Sequence, residues 1–222
     1  KLDGTILCWG QNHVGQGVSP LGQYMDITAG HSYTCAVRVT GEVDCWGDNN
    51  GNHSSPPMMT TFTSIDAPRS FTVGHVCGVM STGAIDCWGD FQNGVIPSGT
   101  DFAEVGTGEL HQCARKTDGT LACWGGSSGS SNMPMTETFS TISTFDSGNC
   151  GVTTSGQIRC WGNPGFFPQT APGGSDFTDV SIGDVHACAV KTDNSVVCWG
   201  QHYLGQTTVP TGNFQSVAVS QN

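Results

Sequence analysis

Cysteine carries most of the possible chemistry in this sequence, because its 11 cysteines follow a fixed spacing. Thiols ten residues apart recur along the chain, and the second of each pair is followed by Trp-Gly. Such pairs can form disulfides or ligate a metal ion. The pairs are Cys35/Cys45, Cys77/Cys87, Cys113/Cys123, Cys150/Cys160 and Cys188/Cys198, and Cys8 precedes Trp-Gly without an earlier partner.

Histidine raises the metal alternative, since His75, His111 and His186 each stand two residues before a cysteine. Zinc sites use histidine and thiolate ligands together. The cysteines already have partners ten residues on, and metal ligation would require them to be reduced. We therefore expect disulfides, histidines packed at a repeated position, and neither a metal nor a cofactor.

The residues between paired cysteines explain the spacing of ten. The midpoint is Thr, Asp or Ser followed by Gly or Asn, which predicts a three-residue hairpin loop with a left-handed last position. This loop sets Val37 opposite Val43 and Cys35 opposite Cys45, within disulfide range. Each disulfide is thus predicted to cross a β-hairpin. The small residue after each first cysteine is predicted to make room for the tryptophan indole.

The hairpins belong to a longer repeat, because Trp-Gly recurs every 36 to 42 residues. Each repeat begins with an aromatic residue and an aliphatic one three positions later. Repeats of about forty residues with several short strands are typical of β-propeller blades. We expect an all-β propeller of six blades of about 37 residues, forming one domain over residues 1–222; a solenoid would need capping repeats.

The motif His-x-Cys-Ala-Val followed by Cys-Trp-Gly-Gln, clearest within residues 183–206, resembles the regulator of chromosome condensation repeat. The cysteine-rich form is similar to the secreted and cell-surface branch of that family. The resemblance covers nearly the whole chain and implies a β-propeller closed by both termini in one blade. Family members mostly have seven blades and perform very different functions, so the resemblance implies the fold more firmly than any activity.

The chain ends align on parts of one repeat. Residues 214–222 align on 177–185, and Lys1 aligns on Lys191, so we expect both ends to enter a sixth blade. The segment that would carry the partner of Cys8 is missing between them. Three explanations stay open: a ring that closes with Cys8 unpaired, a longer natural protein that supplies the cysteine, or pairing between chains.

Composition excludes several classes of function. The 18 acidic and seven basic residues give a net charge of −11, which opposes binding to nucleic acid. The sequence contains no run of 18 apolar residues that could insert into a membrane. The first residues lack the features of a signal peptide, which suggests a mature or excised chain. Cysteines paired as disulfides persist in oxidising compartments, so we expect a secreted, extracellular or cell-surface protein.

Function is predicted to lie in binding rather than catalysis, since no phosphate loop, acid/base couple or Ser-His-Asp order can be assigned. The segments after Trp-Gly differ between repeats, which favours one composite surface for a protein partner. A glycan-binding lectin and a subunit of a self-assembling extracellular filament or coat are the alternatives. Asn52 begins a glycosylation acceptor motif. The candidate binding residues are His13, His53, Phe91, Met133, Phe166, Phe167, His202 and Tyr203.

Overall fold

The protein is all-β in the residues that the structure, a computed structural model, describes. These are residues 3–10, 12–69, 74–90, 94–126, 132–163, 170–201, 205, 207–209 and 211–219. They contain 15 strands in five three-stranded sheets, and each sheet takes three consecutive strands in sequence order. In this part of the chain no helix has the length and apolarity that a membrane crossing requires.

Each sheet has a first strand followed by a hairpin of second and third strands. The strands are β1 (Tyr24–Ala29), β2 (Tyr33–Arg38), β3 (Val43–Gly47), β4 (Phe62–Asp66), β5 (His75–Met80), β6 (Ile85–Gly89), β7 (Phe102–Thr107), β8 (His111–Lys116), β9 (Leu121–Gly125), β10 (Phe139–Phe145), β11 (Gly148–Thr153), β12 (Ile158–Gly162), β13 (Phe177–Ile182), β14 (His186–Lys191) and β15 (Val196–Gly200).

Two compact units divide the chain. Unit 1 comprises residues 1–92 and 96–107 and contains β1 to β7. Unit 2 comprises residues 93–95 and 108–222 and contains β8 to β15.

The predicted hairpin register is confirmed. Val37 pairs with Val43 and Cys35 with Cys45 across β2 and β3. The left-handed turn is present as well, with φ of 94° at Gly41 and 64° at Asn194. Local spacing was sufficient because the loop length alone sets which residues face each other.

All five predicted disulfides are confirmed, with the paired Cα atoms 4.0 to 4.1 Å apart. The bonds join Cys35 to Cys45, Cys77 to Cys87, Cys113 to Cys123, Cys150 to Cys160 and Cys188 to Cys198. The first cysteine of each pair is buried in the central strand of its sheet. The second cysteine lies on the outer strand and is only half-buried, as seen at Cys45, Cys87, Cys123, Cys160 and Cys198. Each bond thus ties an edge strand to the centre of its sheet.

Consecutive repeats are joined through the hairpin loops. The aromatic residue that begins a first strand donates its N–H to the carbonyl at the left-handed turn position of the preceding hairpin. Phe62 N donates to Gly41 O at 2.8 Å in unit 1, and Phe177 N donates to Gly156 O at 3.1 Å in unit 2. Each hairpin thus fixes where the following first strand begins.

The core forms between neighbouring sheets. In unit 1, the disulfide face of the first hairpin, with Cys35 and Val37, packs against Phe62, Ile65 and Trp88 of the next sheet. Unit 2 repeats the pattern when Cys150 and Val152 cluster with the following β13 strand. Burial of these side chains is the main stabilising contribution, since each large apolar side chain removed from water contributes about 1.5 to 3 kcal/mol.

The role predicted for the small residue after the first cysteine needs correction. A Cβ at Gly78 would lie 2.6 Å from Phe62 Cδ1 and 2.9 Å from Ile65 Cγ2. The missing side chain therefore makes room for the first strand, and Phe62 in turn packs on Trp88 with ring centroids 5.4 Å apart. Sequence spacing relates the small residue only to its hairpin partner, whereas in the fold the first strand covers that face.

The predicted sixth blade is not confirmed as a sheet. The described residues form five sheets, and residues 3–10 and 211–219 contain no strand. Residues 3–10 correspond to the third strand of a repeat, and the 222 residues include no sixth second-strand segment whose cysteine would pair with Cys8. Among the described residues, Cys8 is the cysteine outside a disulfide.

Candidate protein-binding surface

Three of the predicted binding residues lie in the described part of the chain. His13 is exposed in the loop before β1. Met133 is half-buried and packs against the core cluster that includes Phe139 and Trp161, while Met135 nearby is exposed. The third is His53. The other predicted residues, Phe91, Phe166, Phe167, His202 and Tyr203, lie outside the described residues.

His53 was expected at the surface, and this expectation is wrong, because the residue is only 4% exposed. Its ring stacks on Tyr33 with centroids 4.1 Å apart, and its Nε2 lies 3.9 Å from Asp48 Oδ2. Its carbonyl accepts the indole N–H of Trp88 at 2.9 Å. The residue therefore anchors the loop between β3 and β4, and the neighbouring Asn52 is the exposed member of this turn.

The histidines before the cysteines pack at a repeated position inside the fold, as expected. His75, His111 and His186 are buried. Burial lowers the pKa of His75 to about 4, with a small opposing effect of Asp90, so this imidazole is neutral at physiological pH. Among the described residues, no group of three or more His, Cys, Asp and Glu side chains is placed to hold a metal ion.

Four exposed apolar side chains lie on neighbouring segments at one end of the strands of unit 1. We call this end, where the hairpin loops lie and the first strands begin, the hairpin end. Leu21 and Met58 are 93% and 91% exposed, Met59 is fully exposed, and Val39 is more than half exposed. These four residues are called the hairpin-end patch.

Backbone hydrogen bonds hold the segments of the patch side by side. Val39 N donates to Gln23 O at 3.1 Å, which ties the first hairpin loop to the segment of Leu21. The bond from Phe62 N to Gly41 O ties the same loop to the segment of Met59. Met59 itself has a left-handed φ of 63°, a conformation that costs a non-glycine residue about 1 kcal/mol or more.

The charges beside the patch are mostly negative or neutralised. Arg38 Nη2 lies 2.6 Å from Asp44 Oδ2, and the Tyr24 hydroxyl donates to the same oxygen at 2.7 Å. The carboxylate raises the pKa of Arg38, so the ion pair leaves no net charge there. Glu42 in the hairpin loop is exposed and accepts a hydrogen bond from Thr40 Oγ1 at 2.9 Å.

Unit 2 has an acidic group at the opposite end of its strands. Burial raises the pKa of Asp146 to about 6, with further contributions from Glu109 and Asp184. These acids occupy the turns between first and second strands, whereas the patch lies at the hairpin end of unit 1. We assign the carboxylates no ligand.

Sequence reasoning missed the hairpin-end patch, although a signal was present. Leu21 and Met59 both lie three positions before the aromatic residue that begins a first strand, so they occupy the same repeat position. Comparing repeats at that position shows large apolar residues in the first two repeats and Gly or Thr in the next three. Residue type alone does not separate a buried loop residue such as His53 from an exposed one such as Met59.

Known proteins share this architecture. The sequence profile of the regulator of chromosome condensation (RCC1) repeat matches residues 26–52 and 177–206. The ectodomain of the receptor kinase ACR4 from Arabidopsis thaliana is 23% identical with a TM-score of 0.72, over 93% of this chain and 75% of that one. The ectodomain of the receptor kinase CR4 from Physcomitrella patens is 25% identical with the same TM-score of 0.72, over 90% of this chain and 57% of that one.

A third similar structure is Prp20p from Saccharomyces cerevisiae, which is 14% identical with a TM-score of 0.66 over 86% of this chain and 61% of that one. The chain thus spans between about half and three quarters of these proteins. The likenesses assign the β-propeller class of fold. The profile match shows regulator of chromosome condensation repeats at residues 26–52 and 177–206, and each of these two segments contains a disulfide-bridged hairpin.

Proposed function

We propose that the protein is a binding module that recognises a protein partner through the hairpin-end patch, and not an enzyme. The observation that carries this proposal is the exposure of four apolar side chains on neighbouring segments of unit 1. Exposed apolar clusters of this kind are typical of interaction sites. Methionine pairs suit such a site because the flexible thioether adapts to the shape of a partner.

The charge of unit 1 defines the partner further. Residues 1–107 contain ten acidic and three basic residues. Arg38, the basic residue beside the patch, is paired with Asp44. A partner surface with apolar pockets for Met58 and Met59 and a basic rim would complement both features.

One similar structure supports protein binding, because Prp20p has binding properties to Gsp1p and histones. Two others support a location outside the reducing cytosol, because they are ectodomains of receptor kinases. Five disulfides fit a secreted or extracellular location, because cytosolic thiols are kept reduced. We therefore propose that the module works outside the cell or at its surface.

We further propose that the repeats number six and that residues 3–10 and 211–219 both belong to the sixth, within a single closed domain. Tyr24 N donates to Gly4 O at 2.8 Å, as Phe62 does to Gly41. Phe214 N donates to Asn194 O at 2.8 Å, which is the same backbone hydrogen bond between consecutive repeats. The end segments therefore keep repeat contacts even though they form no sheet.

Self-assembly is a second candidate, favoured by the surface around Cys8. Leu7 is exposed, and Trp9 is 85% exposed although the equivalent Trp161 is buried. A second chain could bury Leu7 and Trp9 and at the same time form a disulfide with Cys8. Glycan binding has no comparable support from the described residues and serves as an outcome of the test.

The test is capture of extracellular proteins from the source organism on the immobilised, disulfide-bonded chain. We expect a protein retained by the wild type to be lost with Met58→Ser/Met59→Ser, because the anchors are removed without touching the core. Met135→Ser is the matched control, since this methionine is also exposed but lies in unit 2. Equal retention by all three would contradict the proposal, as would retention of glycans that the double variant leaves unchanged.

A further inference from the structure

The first strands of unit 1 are bridged by side chains rather than by a backbone ladder: the Thr28 hydroxyl accepts the Ala67 N–H at 3.0 Å, and two carboxylates make the other bridges. Asp26 Oδ2 accepts the Ile65 N–H at 2.8 Å, and its Oδ1 accepts the Ile27 N–H at 2.9 Å. One repeat further, Asp66 Oδ2 accepts the N–H and the hydroxyl of Thr107 at 2.7 and 2.8 Å. We call these two carboxylates and their bonds the carboxylate joint.

Unit 2 makes the bridge that corresponds to that of Asp66 with uncharged hydroxyls. Ser143 Oγ accepts the Ile182 N–H at 3.1 Å, and Ser181 Oγ accepts the Val219 N–H at 3.0 Å. The bridge that corresponds to that of Asp26 keeps its carboxylate in unit 2, where Asp179 Oδ2 accepts the Val217 N–H at 3.0 Å and burial raises the pKa of Asp179 as well. A hydroxyl is thus sufficient for the hydrogen bond, and a carboxylate adds a charge that must be desolvated.

Several charged and titratable groups face the carboxylate joint. Asp66 on β4 and Glu104 on β7 both repel the charge of Asp26. Arg69, which follows β4, opposes the effect of burial on Asp66. The Tyr33 hydroxyl on β2 is a neutral neighbour and donates to the His75 carbonyl at 2.7 Å.

These surroundings determine whether the pKa of each group is raised or lowered. Burial raises the pKa of Asp26 from 3.8 to about 6, although two backbone N–H bonds oppose the shift. Burial raises the pKa of Asp66 too. His75 on β5 behaves oppositely, since burial lowers its pKa from 6.5 to about 4.

We propose that the carboxylate joint takes up a proton in mildly acidic solution and thereby offsets, within unit 1, the loss of stability that buried His75 causes on acidification. The folded state binds a proton at Asp26 that the unfolded chain does not bind between about pH 4 and 6. Stability therefore rises as pH falls through that window. At His75 the unfolded chain binds the extra proton between about pH 6.5 and 4. The contribution of His75 to stability therefore decreases as pH falls through the same window.

The direct test is a carbon-13 carboxyl titration of Asp26 by NMR on the intact, oxidised chain. A midpoint above pH 5 supports the proposal, and a midpoint at or below pH 5 overturns it. This measurement needs no variant.

A second test compares urea unfolding of the wild type and Asp26→Thr at pH 7.5 and pH 5. Threonine is the natural residue at this repeat position at Thr141, so the variant keeps an acceptor without a charge. On acidification from pH 7.5 to pH 5, the equilibrium constant for unfolding should rise about tenfold more in Asp26→Thr than in the wild type. The reason is that Asp26, with a pKa of about 6 in the folded state and 3.8 in the unfolded chain, stabilises only the wild type as the pH falls. Equal pH responses in the two proteins would overturn the proposal. Comparing the two removes the effect of His75, which is common to both.

Discussion

Replacing Gly78 by alanine tests the packing between first strand and hairpin. The new Cβ would lie 2.6 Å from Phe62 Cδ1 and 2.9 Å from Ile65 Cγ2, while ordinary contact begins near 3.4 Å. Phe62 must therefore move by about 0.8 Å, away from its place against Trp88. Overpacking of a core costs about 1 to 3 kcal/mol, and the lower chain entropy of alanine returns about 0.4 to 1 kcal/mol. The free energy of unfolding should fall by about 1 to 2 kcal/mol.

Urea unfolding followed by tryptophan fluorescence measures this change. Gly173→Ala is the matched control, because a Cβ there meets nothing within 4 Å and the residue is exposed. Gly151→Ala repeats the perturbation in unit 2, where the Cβ would lie 2.6 Å from Phe139 Cδ1. If Gly78→Ala unfolded at the same urea concentration as Gly173→Ala or a higher one, the packing argument would be refuted.

Three further perturbations follow from the same structure. Removing the disulfide between Cys77 and Cys87 with Cys77→Ala/Cys87→Ala frees a loop with a separation of ten residues, and should lower the free energy of unfolding by about 3 kcal/mol in urea melts; no change would contradict the stabilising role of the bond. Asp44→Ala should cost about 1 kcal/mol, because Arg38 is partly exposed and its ion pair is screened by water; a loss above about 3 kcal/mol would show a larger role. The imidazole of His75 should titrate near pH 4 by NMR, and a midpoint of 6 or higher would contradict its burial.

The hairpins and disulfides could be predicted from sequence because they depend on spacing over ten residues. The turn glycine fixes the register, and the register brings Cys35 to Cys45 without any information from the rest of the chain. The repeat likewise follows from Trp-Gly alone. These features are local, and local features survive in a sequence as fixed intervals.

The binding surface could not be predicted in the same way. Whether His53 or Met59 is exposed depends on how the long loop between β3 and β4 folds back on Tyr33, which residue type does not reveal. The bridge from Asp26 to Ile65 spans 39 residues, and in the sequence Asp26 looks like any acidic residue within a strand. Both features become visible only when neighbouring repeats are placed against each other.

The central claim is that a partner binds the hairpin end of unit 1. Hydrogen exchange of the captured complex, analysed by mass spectrometry, measures this directly. We predict that the complex slows exchange in the segments around Leu21, Val39 and Met59 and leaves the exchange of unit 2 hairpins unchanged. Slower exchange confined to unit 2, or to the turns between first and second strands, would contradict the account and move the binding surface elsewhere.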